Sequence, residues 1–194
     1  MISFALAVFF LIITPGPGVL STAGVGAAFG YRPGLSYVTG LCIGNFLVGL
    51  AVVTGLAALI LSNPQIRTIL LFASAAYLCY LAFKIAFSGN RLAFIESKTA
   101  PGLVNGLMLQ AINPKAYAVS TALFSGFAFM PGNFISETII KFLILNAIWI
   151  PIHLAWLGAG VMVERLDLPD KVQFAINMIM ALSMLAVVAL ALMA

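Results

Sequence analysis

The chain has 194 residues, of which 63% are hydrophobic and only 7% are charged, whereas soluble domains contain roughly 45–50% and 25%. A soluble fold of this length could not cover so much apolar surface, so the composition excludes soluble classes of protein. The net charge of +4 comes from basic residues scattered singly between apolar segments, which argues against a nucleic-acid partner. GxSxG, HExxH and Walker motifs are missing, and we expect neither enzyme activity nor a cofactor or metal.

Long charge-free segments predict an all-α, polytopic membrane protein with six transmembrane helices, because a helix needs about 20 apolar residues to cross the hydrocarbon core. Glycine, proline and asparagine punctuate the connections between these segments. The first segment lacks the basic n-region of a signal peptide, so we expect it to remain as a helix. The predicted spans are approximately 2–25, 36–61, 67–87, 112–130, 138–160 and 172–193.

The first span contains the run Thr14, Pro15, Gly16, Pro17 and Gly18. Proline removes a backbone donor and clashes with the preceding turn, so two prolines around a glycine predict an unwound or sharply kinked helix. The freed carbonyl and amide groups cannot face lipid, and neighbouring helices, water or a ligand must satisfy them. The alternative is that these prolines only shape the helix, as they often do in membranes.

Asn45 and both cysteines lie in the second and third spans. A polar group such as Asn45 hydrogen-bonds across helices by default, as Gln110, Asn146 and Asn177 would in later spans. Cys42 and Cys79 are expected to be small buried hydrophobic residues. Their alternative interpretation is a membrane thiol-disulfide electron carrier, although no second cysteine lies near either of them in the sequence.

The polar stretch 88–102 divides a single transmembrane domain, 1–194, into halves of approximately 1–97 and 98–194. Three helices in each half make the second half enter the membrane from the opposite side, which is the arrangement of inverted-repeat transporters. Basic residues in short connections mark the cytoplasmic side. Arg67 and Lys141 lie on the other side, so both termini are predicted to be periplasmic. The cytoplasmic set is Arg32, Lys84, Arg91, Lys98, Arg165 and Lys171.

The fourth span begins with Asn113, Pro114 and Lys115. Pro17 and Pro114 are separated by half of the 194-residue chain, so a second break would fall in the corresponding helix of the second half, where transporters place their sites. A lysine in a membrane helix is costly. Lys115 either snorkels to the interface or faces the interior, where a cation beside opened helix ends suits a carboxylate.

The fifth span holds His153, the only histidine, between Pro151 and Trp156. It could relay protons, although a lone histidine is more often a packed side chain. Glu137 and Lys141 are four residues apart at the start of this span, and the spacing predicts a surface ion pair.

Three segments together resemble the LysE/RhtB family of amino-acid exporters: Ile13 to Pro17, Gly30 to Leu35, and Asn113 to Ala116. The resemblance implies a six-helix secondary exporter of the bacterial inner membrane, whose substrates are amino acids or close derivatives and whose driving force is the proton-motive force. It also implies the inverted three-helix repeat. A homodimer is left open.

Gly18 departs from that family, because many relatives have Asp or Asn directly after the Pro-Gly-Pro. None of the predicted spans then contains a carboxylate. Coupling could use substrate protonation, His153 or Lys115, or be absent.

The leading hypothesis is export of a small zwitterionic or anionic metabolite by alternating access around broken helices 1 and 4. Lys115 would hold the substrate carboxylate, with Asn113 and Asn45 as hydrogen-bonding neighbours and membrane lipid around the protein. Two alternatives stay open: the thiol-disulfide carrier and an accessory subunit of a membrane complex. The complete set of predicted binding residues is Pro15, Gly16, Pro17, Gly18, Asn45, Asn113, Pro114 and Lys115.

Overall fold

The computed structural model describes residues 1–14, 16–86, 100–130, 132–166 and 169–193. Over these residues every regular element is an α-helix, as the composition predicts. The helices are α1 (Ile2–Ile13), α2 (Pro17–Phe29), α3 (Tyr31–Val53), α4 (Leu56–Leu61), α5 (Pro64–Ala86), α6 (Leu103–Ile112), α7 (Pro114–Gly126), α8 (Phe134–Arg165) and α9 (Asp170–Met193).

The first predicted span is two helices, α1 and α2, which meet at an angle of 52°. Thr14 ends α1 with a ψ of 124°, and Gly16 is fully extended. Pro17 then occupies the first position of α2, where its missing N–H has no intrahelical partner to lose. The predicted break is therefore confirmed, although Pro15 itself lies outside the described residues.

A second break separates α6 from α7 at Asn113, which has a ψ of 107°. Pro114 begins α7 as Pro17 begins α2, and the Asn113 side chain accepts a hydrogen bond from the Lys115 amide. The predicted start of the fourth span at residue 112 was wrong, because α6 already begins at Leu103. Its polar residue Gln110 is buried by a partner on α3, which the sequence pattern does not reveal.

Small residues bring two pairs of helices into backbone contact. A Cβ atom on Gly106 of α6 would collide with the Tyr37 carbonyl of α3, and one on Gly160 of α8 would collide with the Ala23 carbonyl of α2. Small residues at helix interfaces are typical of membrane bundles, where close backbone approach replaces the hydrophobic effect. These contacts hold α2, α3, α6 and α8 together in the centre of the molecule.

The outer surface of the described bundle is apolar, as lipid requires. Leu59, Ile135 and Val104 are 75%, 71% and 66% exposed. By length and composition, three described helices could cross a membrane: Tyr31–Val53, Pro64–Phe83 and Phe134–Val163, and the bent pair α1–α2 makes a fourth. The chain is therefore a polytopic helical membrane protein.

The pair formed by Glu137 and Lys141 is not the surface ion pair that the spacing predicted. Their charged atoms lie 2.7 Å apart, and the Lys141 side chain is only 4% exposed. Lys141 Nζ also donates to the Phe124 carbonyl near the end of α7, while Glu137 accepts from the amides of Phe129 and Met130. The pair therefore joins the end of α7 to the start of α8.

Candidate functional site

Both helix breaks open onto one cavity. Its volume is about 40 Å³, which is room for roughly three water molecules. The polar part of the lining comes from four regions of the chain that are distant in sequence, while Leu11, Ile12, Val19, Ala116, Val119 and Trp149 supply an apolar part. The polar lining residues are Thr14, Asn45, Gln110, Asn113, Lys115 and His153.

Lys115 connects the two breaks. Its Nζ donates to the Thr14 carbonyl over 2.6 Å. That carbonyl lies at the end of α1, where the chain has left the helix and the oxygen has lost its normal donor. A Cβ on Gly16 would lie only 2.8 Å from Cδ and 3.0 Å from Nζ of Lys115, so the absence of a side chain at position 16 leaves space for the lysine.

Three amide side chains form a buried chain along one wall. Gln110 Nε2 donates to Asn45 Oδ1 over 3.1 Å, and Gln110 Oε1 accepts from Asn113 Nδ2 over 3.3 Å. All three residues are at most 5% exposed. Asn45 Nδ2 is buried and has no acceptor among the described residues. A buried donor without a partner is costly, so this amide can supply a hydrogen bond to a ligand.

His153 on α8 also lines the cavity. Its Nδ1 is 3.0 Å from the Trp149 carbonyl, and its ring stacks on the Trp149 ring with centroids 3.5 Å apart and planes 15° apart. The other ring nitrogen, Nε2, faces the start of α2, where a Cβ on Gly18 would lie 3.3 Å away. Packing therefore holds the imidazole in one orientation.

Six of the eight predicted residues that the structure describes line the cavity, and two do not. Pro17 and Pro114 begin helices beside it without lining it, and Pro15 lies outside the described residues. Sequence reasoning missed Gln110 as a site residue, and it missed Trp149, whose position four residues before His153 on one helix face could have revealed it. The six that line it are Gly16, Gly18, Asn45, Asn113, Lys115 and His153.

The cysteines do not form a disulfide. Cys42 is half-buried and Cys79 is exposed, and both are free. Neither lines the cavity. The structure therefore offers no feature that favours thiol-disulfide chemistry.

The family follows from comparison with known proteins. The family described as LysE type translocator matches residues 9–194. The chain belongs to the LysE type translocator family. The resemblance predicted from three short segments is thereby confirmed, and it extends over nearly the whole sequence. The family is described as one of translocators, and the apolar helices make this member a multi-pass membrane protein.

Among curated proteins, this LysE type translocator is similar to proteins named leucine efflux protein. That of Enterobacter sp. (strain 638) is 28% identical over 130 residues, which are 64% of this chain and 62% of the relative. That of Klebsiella pneumoniae subsp. pneumoniae is 26% identical over 132 residues, which are 65% of this chain and 62% of the relative. That of Salmonella typhimurium is 26% identical over 130 residues, which are 64% of this chain and 61% of the relative. The chain thus spans less than two thirds of these relatives. No solved structure matches it.

Proposed function

We propose that this protein exports small amino acids across the bacterial inner membrane, and that the cavity between the two helix breaks is the substrate site. The observation that carries this proposal is the meeting of both breaks and Lys115 at one point. Transporters commonly bind their substrates where discontinuous helices expose their ends. The relatives named for leucine efflux support an amino-acid substrate, and the apolar part of the lining suits an aliphatic side chain.

Lys115 would bind the substrate carboxylate. An ammonium group has three donors, and the hydrogen bond to Thr14 uses one of them. The starts of α2 and α7 lie beside it, and each helix start carries partial positive charge. Asn45 Nδ2, which has no partner within the described part of the chain, would supply a further donor, while Asn113 holds the start of α7 in place.

The proposed architecture is six spans in two inverted repeats: α1–α2, α3 and α5, followed by α6–α7, α8 and α9. Helix packing supports it, because contacts between the halves occur in pairs that are related by exchanging the equivalent helices of the two repeats. α3 packs on α6 as α8 packs on α1, and α2 packs on α8 as α7 packs on α3. The single-domain organisation, the periplasmic termini and the option of a homodimer remain predictions from the sequence.

We propose alternating access driven by the proton-motive force. A volume of about 40 Å³ is too small for an amino acid, so the halves would have to separate on one side for substrate to enter. Among the described residues that line the cavity, His153 and Lys115 are the titratable side chains. One of them would carry the coupling proton, and His153 is the candidate relay.

Counterflow in proteoliposomes tests the function. Vesicles loaded with unlabelled leucine and containing the purified protein should accumulate external labelled leucine, and vesicles without protein should not. A panel of neutral aliphatic amino acids widens the test. Transport of none of them would contradict amino-acid export.

A further inference from the structure

We infer that Nε2 of His153 accepts a hydrogen bond from the α-ammonium group of the substrate, so that the cavity selects α-amino acids by both of their charged groups. The inference rests on the proposed function and specifies the substrate class. It assigns to His153 a direct contact with the substrate.

The hydrogen bond at Nδ1 determines which nitrogen is the acceptor. Nδ1 lies 3.0 Å from the Trp149 carbonyl, and a carbonyl oxygen can only accept. Nδ1 must therefore carry a hydrogen. In the neutral imidazole the lone pair is then on Nε2.

The lone pair on Nε2 is open towards the cavity. Nε2 makes no hydrogen bond with the described residues, although the His153 side chain is only 4% exposed. Position 18 is a glycine, and a methyl group there would stand 3.3 Å from Nε2. Gly18 therefore leaves the space that a donor from a ligand would occupy.

Nε2 and the Lys115 ammonium flank the same short stretch of backbone. A Cβ on Gly16 would lie 3.0 Å from Nζ, and one on Gly18 would lie 3.3 Å from Nε2. Two residues of extended chain span at most about 7 Å. Lys115 and His153 also line the same cavity, which favours a small ligand that carries an ammonium and a carboxylate on one carbon and forms a hydrogen bond of ordinary length to each group.

The cavity offers both donors and acceptors, and their positions set the orientation of the ligand. Lys115 Nζ and Asn45 Nδ2 are donors and suit a carboxylate. His153 Nε2 is an acceptor, and Gln110 Oε1, 4.0 Å from the same Cβ position on Gly18, is a second one. The zwitterion of an α-amino acid meets this arrangement, whereas a plain carboxylic acid leaves His153 Nε2 without a donor.

Competition in the counterflow assay tests the inference. Three competitors are compared against labelled leucine: leucine itself, 4-methylpentanoic acid, which lacks the amine, and leucinamide, which lacks the carboxylate. We expect the wild-type protein to prefer leucine over 4-methylpentanoic acid by about tenfold or more. 4-Methylpentanoic acid cannot form the hydrogen bond from a charged ammonium group, and such a bond changes the affinity by about this factor. If leucine is not carried, the amino acid that the panel identifies and its matching analogues replace it.

Two variants separate the role of His153 from a packing role. His153→Leu should bring the preference for leucine over 4-methylpentanoic acid to within about twofold, while the preference over leucinamide stays. His153→Gln should recover part of the first preference, since its amide oxygen can accept. Gly18→Ala places a methyl group against Nε2 and should weaken the same preference with the histidine in place, which covers the case in which His153→Leu fails to fold.

Failure of the ammonium site can be distinguished from failure of the proposed export. Transport of amino acids without discrimination by the wild-type protein would overturn the ammonium site and leave export standing, as would full discrimination in both His153→Leu and Gly18→Ala. Failure to transport any amino acid would overturn the proposed function and this inference together.

Discussion

Lys115 shows how one side chain can link two structural breaks. Its ammonium reaches a carbonyl that α1 has released at Thr14, so the charge is paired with a backbone dipole within the bundle. This hydrogen bond joins residues from the two halves of the chain. The position of Nζ therefore depends on both breaks. The binding of a ligand that contacts Nζ would then depend on how the two breaks are positioned.

Replacing Lys115 by alanine should raise the half-saturating leucine concentration in the counterflow assay by about tenfold or more, because a hydrogen bond to a charged group is lost. Lys115→Arg keeps the charge, and its half-saturating leucine concentration should lie between those of the wild type and Lys115→Ala. The matched control is Lys171→Ala, which removes an exposed lysine at the start of α9 and should leave transport unchanged. Unchanged half-saturation in Lys115→Ala would refute its role in binding.

Lys141 is buried, whereas Lys115 is half-buried, and it stabilises the fold. It is paired with Glu137 and also donates to the Phe124 carbonyl, so it satisfies an acceptor that the end of α7 leaves open. Removing one member of a buried ion pair leaves the other uncompensated.

Lys141→Met should therefore lower the melting temperature in detergent more than Glu137→Gln does. The glutamine can still accept from the amides of Phe129 and Met130, whereas methionine offers no donor to Phe124. Thermal unfolding followed by tryptophan fluorescence measures both variants. Equal melting temperatures for Lys141→Met and the wild type would show that the pair does not stabilise the α7–α8 junction.

At the scale of helices, packing depends on glycines that face another backbone. Gly106 lies against Tyr37 and Leu41 on α3, so that any side chain would meet backbone atoms that cannot move aside. Gly158 on α8 has no atom within 4 Å of its Cβ position. The two glycines therefore differ in what an added methyl group would do.

Gly106→Ala should destabilise the protein by about 1–3 kcal/mol, because an overpacked interface must separate. Gly158→Ala should be neutral or stabilise it by up to about 1 kcal/mol through better helix propensity. Unfolding in a denaturant series measures both in the same detergent. A Gly106→Ala variant as stable as the wild type would contradict the close backbone contact between α3 and α6.

At the scale of the whole molecule, six spans together with the distribution of basic residues predict which side of the membrane each connection faces. Connections after odd-numbered spans should lie in the cytoplasm and connections after even-numbered spans in the periplasm. Single cysteines can be introduced at exposed positions in a background with Cys42 and Cys79 replaced by serine. The positions Tyr31, Ser62, Phe134 and Leu166 are all exposed.

A membrane-impermeant maleimide added to intact cells should label cysteines at Ser62 and Phe134. Cysteines at Tyr31 and Leu166 should react only after the membrane is permeabilised. Reversal of the whole pattern would reverse the orientation but keep the six spans. Labelling of Ser62 and Phe134 from opposite sides would contradict the proposed architecture.

The sequence by itself determined the class of protein and the location of the helix breaks. Composition decides the first, because lipid is the only solvent that tolerates this much apolar surface. The break beside Pro17 follows from the covalent ring of proline, which acts on the adjacent turn whatever the rest of the fold does. The charge-free stretch 99–114 also contains α6, which the predicted spans left out.

Only the tertiary structure decided which polar groups meet. Gln110 reaches Asn45 from 65 residues away, and Lys115 reaches Thr14 from 101 residues away. Such contacts depend on how helices pack, and the hydrophobic pattern of each helix does not encode the identity of its neighbour. For the same reason, the burial of Lys141 and the direction of His153 Nε2 towards Gly18 follow from the packed bundle and not from the spacing of residues along the chain.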